Sequence, residues 1–218
     1  MAFSAFVFDL DGTLLNTLDD LAYACNTMLE RHGWPVHPLA SYRQFIGNGF
    51  VRLVSRALPK DELEKMDEAR LNALIAEGKA IYNESMLCRT SPYDGIGSVL
   101  KEFAGRGIRL GVVSNKPDAQ AQALIEHFFP SLFAAVHGGR PNVPLKPDPA
   151  AVLAALTELG AAKEETAYVG DSSVDMITAA NAGLFSIGVS WGFRGEEELR
   201  SSGAKAVISR AEELFSFI

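Results

Sequence analysis

Six short apolar runs alternate with helix-forming segments, and this alternation constrains the fold more than any other feature of the chain. The runs are residues 5–10 (AFVFDL), 108–114 (IRLGVVS), 134–139 (AAVHGG), 166–170 (TAYVG), 184–190 (LFSIGVS) and 205–209 (KAVIS). Helical patterns occupy 118–128, 149–159, 174–182, 196–201 and 211–218. Apolar strands separated by helices point to a doubly wound α/β fold, a parallel sheet covered on both faces. Ligands of such sheets bind beyond the carboxyl ends of the strands.

Residues 14–87 break the rhythm. Leu14, Leu18, Leu21, Cys25 and Met28 recur at helical spacing, and 51–58, 61–75 and 78–87 read as further helices. No convincing strand occurs there. Gly33-Trp34-Pro35 and Leu58-Pro59 are expected helix breaks. The predicted organisation is a Rossmann-like core made of residues 1–16 and 84–218, with an α-helical cap over 17–83 inserted between them.

Of the 218 residues, 48% are hydrophobic and 22% charged, enough apolar material for a sizeable core. The formal net charge of −7 argues against nucleic acid as the main partner, because phosphate backbones require clustered Lys and Arg. Small anions remain open, since local fields bind them. The N-terminus carries no basic region of the signal-peptide kind, and no apolar run is long enough to cross a bilayer. Cys25 and Cys88 match no metal spacing and are expected as free thiols in a reducing compartment. A soluble cytoplasmic protein without membrane partners is expected, either monomeric or homodimeric.

Four strand ends carry chemistry. The first is Asp9-Leu10-Asp11-Gly12-Thr13. A hairpin turn would need a second strand, and the residues from Leu14 to Met28 have helical period instead. Two carboxylates about 4 Å apart repel by roughly 4 kcal/mol at an effective dielectric near 20, so a cation or a shared proton must compensate. The second is Ser114-Asn115, followed by Pro117, placed past a strand with Pro117 in the first turn of the next helix. This segment either caps the helix or holds a phosphate oxygen. The third is Lys146, in a loop braced by Pro144, Pro147 and Pro149, where an ammonium can be held at a fixed point. The fourth is Asp171 with Asp175 four residues on. A helix cap needs only one acid, and oxygen donors suit Mg²⁺.

Taken in order, these four motifs resemble those of the haloacid dehalogenase superfamily of phosphohydrolases, over essentially the whole chain. Within it the chain is similar to the phosphoglycolate phosphatases, through Ile46-Gly47-Asn48-Gly49 with Arg52, Ser114-Asn115-Lys116-Pro117 and Ser190-Trp191-Gly192-Phe193. The resemblance implies a Mg²⁺-dependent phosphomonoester hydrolase acting on a small phosphorylated metabolite. Asp9 would be the nucleophile and a metal ligand. Asp11 would be the general acid and base, giving its backbone carbonyl to the metal. Asp171 would ligate the metal, and Asp175 would hold its shell. Ser114 and the backbone at Asn115 would bind phosphoryl oxygens, Lys146 would neutralise Asp9 and the phosphate, and Thr13 would join the substrate-binding set. In the cap, Asn48 and Arg52 would meet the non-phosphate end of the substrate. Other small esters, nucleotides or pyrophosphate, and sugar phosphomutase chemistry, stay open as alternatives. A phospho-accepting signalling receiver fits poorly, because it has no cap. Asn16 stands where many relatives carry an acid, a departure that touches cap hinging rather than the four motifs.

Overall fold

A computed structural model describes residues 2–218 and divides the chain into two compact units. The first comprises the N-terminal stretch through Asn16 together with Pro92–Ile218, and the second is Thr17–Ser91.

The first unit holds a six-stranded sheet. Its strands are β1 (Ala5–Phe8), β4 (Arg109–Pro117), β5 (Ala135–Gly139), β6 (Thr166–Gly170), β7 (Phe185–Val189) and β8 (Ala206–Ile208), in the order β5-β4-β1-β6-β7-β8. Every pairing is parallel, with Ala5 opposite both Arg109 and Thr166. The chain leaves this unit after the short strand β2 (Leu15–Asn16) and returns through β3 (Ser91–Pro92).

β1 lies at the centre and is wholly buried. Successive side chains alternate between faces, so one strand feeds two cores. Val7 packs with Val113, Val152, Leu156 and Tyr168. Phe6 belongs to an aromatic cluster, 4.9 Å from Phe103, which in turn lies 5.6 Å from Phe215. Helices α6 (Ile96–Gly105), α7 (Asp118–Phe128), α8 (Ala150–Leu159), α9 (Ser173–Ala182) and α10 (Glu196–Ser201) supply the layers. The order places the carboxyl ends of β1, β4 and β6 side by side at the point where the winding reverses.

The second unit is helical: α1 (Leu18–Arg31), α2 (Leu39–Phe45), α3 (Phe50–Ala57), α4 (Lys60–Leu63) and α5 (Glu68–Ser85). Tyr42 and Tyr82 are fully buried in it, and the Tyr42 hydroxyl donates to Asn26 Oδ1 at 2.7 Å. Asp20, also fully buried, accepts from Arg89 N–H, Thr90 N–H and the Thr90 hydroxyl at 3.0, 2.8 and 2.9 Å. That carboxylate joins the beginning of the unit to its end.

Several expectations need correction. The apolar run at 5–10 is strand only to Phe8, and Asp9 lies beyond it. β4 continues through Ser114 and Asn115 to Pro117, which precedes α7 rather than starting it. Residues 61–75 and 78–87 are not two helices divided near Gly78. The break falls between α4 and α5, and α5 runs through Gly78, which faces Phe50 and Val54 of α3. Residues 211–217 form a 3-10 helix rather than an α-helix.

Candidate active site

Asp9 follows β1, Asp171 follows β6, and Asp175 sits in the first turn of α9. All three are buried, and each offers one carboxylate oxygen within 4.8 Å of the others. Gly170 lets α9 approach this closely, since a β-carbon on it would overlap the Asp175 side chain.

One ammonium enters this cluster. Lys146 Nζ forms an ion pair with Asp9 Oδ1 at 2.8 Å and donates to Asp175 Oδ1 at 2.7 Å and to the Tyr168 hydroxyl at 3.2 Å. Its loop is held by Asn115, whose Nδ2 donates to the Lys146 carbonyl and whose Oδ1 accepts from the Lys146 N–H, at 3.1 and 2.8 Å. The Asn115 amide is therefore a brace for the lysine. Asp175 is committed on both sides, because its Oδ2 accepts from the Ser172 hydroxyl at 2.6 Å and the Ser172 N–H at 3.1 Å.

Among the described residues one ammonium touches these three carboxylates, while the Arg194 guanidinium, paired with Glu198, acts on Asp171. Burial pushes the Asp9 carboxyl up to about 7 despite the pull of Lys146, with Asp175 and Asp11 adding to the rise. Burial, then the charges of Asp175 and Asp9, raise Asp171 well above the usual carboxylate range, against the Phe193 N–H and the Arg194 guanidinium. Burial opposes the Lys146 charge, yet Asp175 and Asp9 outweigh it and raise its pKa well above normal. Hard oxygen donors around a deficit of positive charge fit a divalent cation such as Mg²⁺. Asp9, Asp171 and Asp175 together could hold such an ion.

Asp11 does not share the Asp9 environment. After β1 the chain turns through Gly12 at φ +87°, and the Asp11 carboxylate receives Lys116 Nζ at 2.9 and 3.0 Å. The two acids that look mutually repulsive in sequence thus each have their own lysine. Lys116, with only 2% of its side chain exposed, is the site residue to which motif reasoning gives no role. Its one signal is its place directly after Ser114-Asn115. Ser114 is buried, and its hydroxyl accepts from the Lys116 N–H at 3.3 Å. Thr13 is fully buried, and its hydroxyl makes no hydrogen bond among the described residues.

Asn48 and Arg52 belong to the helical unit. Asn48 Oδ1 accepts from Arg56 at 2.8 Å, while Arg56 also donates to the Phe45 carbonyl. Arg52 is exposed on α3. Gly47 and Gly49 take φ of +114° and +82°, values that favour glycine.

The fold and site together define a class: a parallel α/β hydrolase core with acids at the ends of β1 and β6 and an ammonium between them. The chain belongs to the haloacid dehalogenase-like hydrolase family, whose model matches residues 6–189. It is 37% identical over 207 residues to a phosphoglycolate phosphatase of Rhodospirillum rubrum, covering 93% of this chain and 86% of that protein. It is 30% identical over 213 residues to one from Xanthomonas campestris pv. campestris, covering 97% and 94%. A solved structure of a proposed phosphoglycolate phosphatase from Lactobacillus delbrueckii subsp. bulgaricus superposes with a TM-score of 0.90 at 31% identity, covering 98% of this chain and 97% of that one. Among the described residues no helix is long and apolar enough to cross a membrane.

Proposed function

We propose that the chain is a Mg²⁺-dependent phosphomonoester hydrolase that cleaves 2-phosphoglycolate to glycolate and phosphate through an aspartyl phosphate on Asp9. The observation that carries this reading is the buried Asp9–Lys146–Asp175 contact at the end of β1, with Asp171 alongside. The names of the relatives support the substrate.

An ionised Asp9 oxygen attacks phosphorus, and the bond from phosphorus to the ester oxygen breaks. Lys146, held by Asp175, Tyr168 and the Asn115 brace, offsets the approach of anion to anion. Mg²⁺, when bound, would neutralise the remaining carboxylate and phosphoryl charge. Asp11 gives its proton to the departing alkoxide and then takes one from the attacking water. Water breaks the Asp9–phosphorus bond, and inorganic phosphate leaves. Ser114, the Asn115 backbone and Thr13 make up the donor set for the phosphoryl oxygens. Asn48 and Arg52 are assigned to the carboxylate end.

A screen of small phosphate esters, with and without Mg²⁺, tests the assignment. Mg²⁺-dependent phosphate release with 2-phosphoglycolate as the best substrate is expected. Preference for a sugar phosphate with transfer to a second hydroxyl would replace it with the mutase reading.

A further inference from the structure

The loop Ser190–Arg194 follows β7 and adds no carboxylate to the cluster, yet it meets the site at three points. The Phe193 N–H donates to Asp171 Oδ2 at 2.6 Å. The Trp191 indole N–H donates to the Thr13 carbonyl at 3.1 Å, and its ring lies 6.5 Å from that of Tyr93. Gly192 sits between the two. A β-carbon on Gly192 would overlap the Gly12 carbonyl oxygen and the Asp171 β-carbon. A β-carbon on Gly12 would overlap the Asp171 carboxylate and lie 2.9 Å from the Phe193 ring. Two glycines facing one carboxylate mark a close approach of backbone to side chain that any other residue would open.

We infer that Trp191–Phe193 is a positioning strap that fixes Asp171 against the turn Asp9–Thr13 and so sets the spacing of the metal-binding carboxylates. The inference rests on the Mg²⁺ reading above. An aspartate alone can rotate its carboxylate freely. With Oδ2 held by the Phe193 amide, that rotation is locked and Oδ1 remains as the other acceptor. Trp191 fixes the second wall, because its bond to the Thr13 carbonyl ties the loop to the turn that carries Asp9 and Asp11. The strap thus acts through Asp171 and the turn, not on the substrate. Outer contacts of this kind typically change metal affinity by about 10–100-fold when lost.

Calorimetric titration of the full-length protein with Mg²⁺ alone tests this. Gly192→Ala should bind Mg²⁺ at least about tenfold more weakly than wild type. Trp191→Phe keeps an aromatic side chain but loses the indole N–H and the ring that carries it, and should show a smaller loss. Both should raise the Mg²⁺ concentration for half-maximal phosphatase activity while leaving KM for the ester at saturating Mg²⁺ unchanged. Leu199→Ala, behind β7 and packed on Gly188, should lower Tm without changing Mg²⁺ affinity. If Gly192→Ala fails to fold, Trp191→Phe decides alone. Wild-type Mg²⁺ affinity in the folded variants overturns the strap and leaves the metal reading standing. Absence of Mg²⁺ binding by the wild type overturns the metal reading and the strap with it.

Discussion

Asp20 in the helical unit and Asp9 in the sheet unit are both buried aspartates, but their surroundings differ in kind. Asp20 accepts from two backbone N–H groups and a hydroxyl, with the Arg89 guanidinium at 3.4 Å completing the set. Asp9 faces one ammonium, shared with Asp175, and lies beside Asp171. The first is an acid whose charge is fully answered, as a structural role requires. The second is held with too little positive charge around it. A buried group left in that state stores a demand for a ligand, and that demand distinguishes a reactive carboxylate from a supporting one.

Substituting the two acids separates these roles. Asp9→Asn should lower phosphatase turnover by at least about a thousandfold, roughly 4 kcal/mol of barrier. It should leave the metal-free Tm at pH 7.5 unchanged or raised, because it removes an unfavourable charge. Appreciable Mg²⁺-dependent activity in this variant would refute the nucleophile assignment. Asp20→Ala should do the opposite, lowering folding stability by about 3 kcal/mol through the donors it leaves unmet, with Mg²⁺ affinity of the folded protein unchanged. A Tm within error of wild type would show that Asp20 is not the tie between the two ends of its unit.

Titration sharpens the comparison further. Asp9 has a folded pKa near 7 against an ordinary 3.8, so between those values the folded state holds a proton that the unfolded state releases. The stability it contributes is full below pH 3.8 and is lost as pH rises through about 7. Metal-free protein should therefore lose Tm over this window, and added Mg²⁺ should restore more of it at the alkaline end. Asp9→Asn should flatten the profile, and an unchanged slope would count against the charge deficit. The smallest effect belongs to the helical unit. Arg52→Ala should raise KM for 2-phosphoglycolate by about tenfold, the worth of a charge-assisted contact, and leave a neutral phosphomonoester nearly unaffected. Equal effects on both would remove Arg52 from the substrate site.

The parallel sheet and the acids at its strand ends are legible in the sequence because their signals are local. Apolar runs of strand length alternate with helical periods, and 118–128 and 196–201 match α7 and α10 to the residue. Helix α6 escapes such a reading although Ile96, Val99, Leu100 and Phe103 form a buried helical stripe. It contains two glycines and follows Gly95 in a left-handed conformation instead of a Ser or Asp cap, so its start signal is missing. Gly78 misleads for the opposite reason: a lone glycine costs a helix only about 1 kcal/mol, too little to end one of 18 residues. The Asp11–Lys116 pair is invisible because its partners are far apart in the chain and only the β1–β4 register brings them together. The same holds for Phe193 and Asp171, joined by a backbone N–H that no side-chain pattern encodes.

The central place of β1 has a consequence for how the chain is made. Its partners β4 and β6 lie about a hundred residues and more downstream. At a synthesis rate of roughly 5–20 residues per second, the apolar stretch Ala5–Phe8 waits on the order of 5–20 s before its first neighbour leaves the ribosome. The intervening helical unit, rich in local contacts, can form during that wait. The newborn protein therefore passes through an interval in which its wholly buried central strand has no sheet to join, and Phe6 and Phe8 stay uncovered until β4 follows.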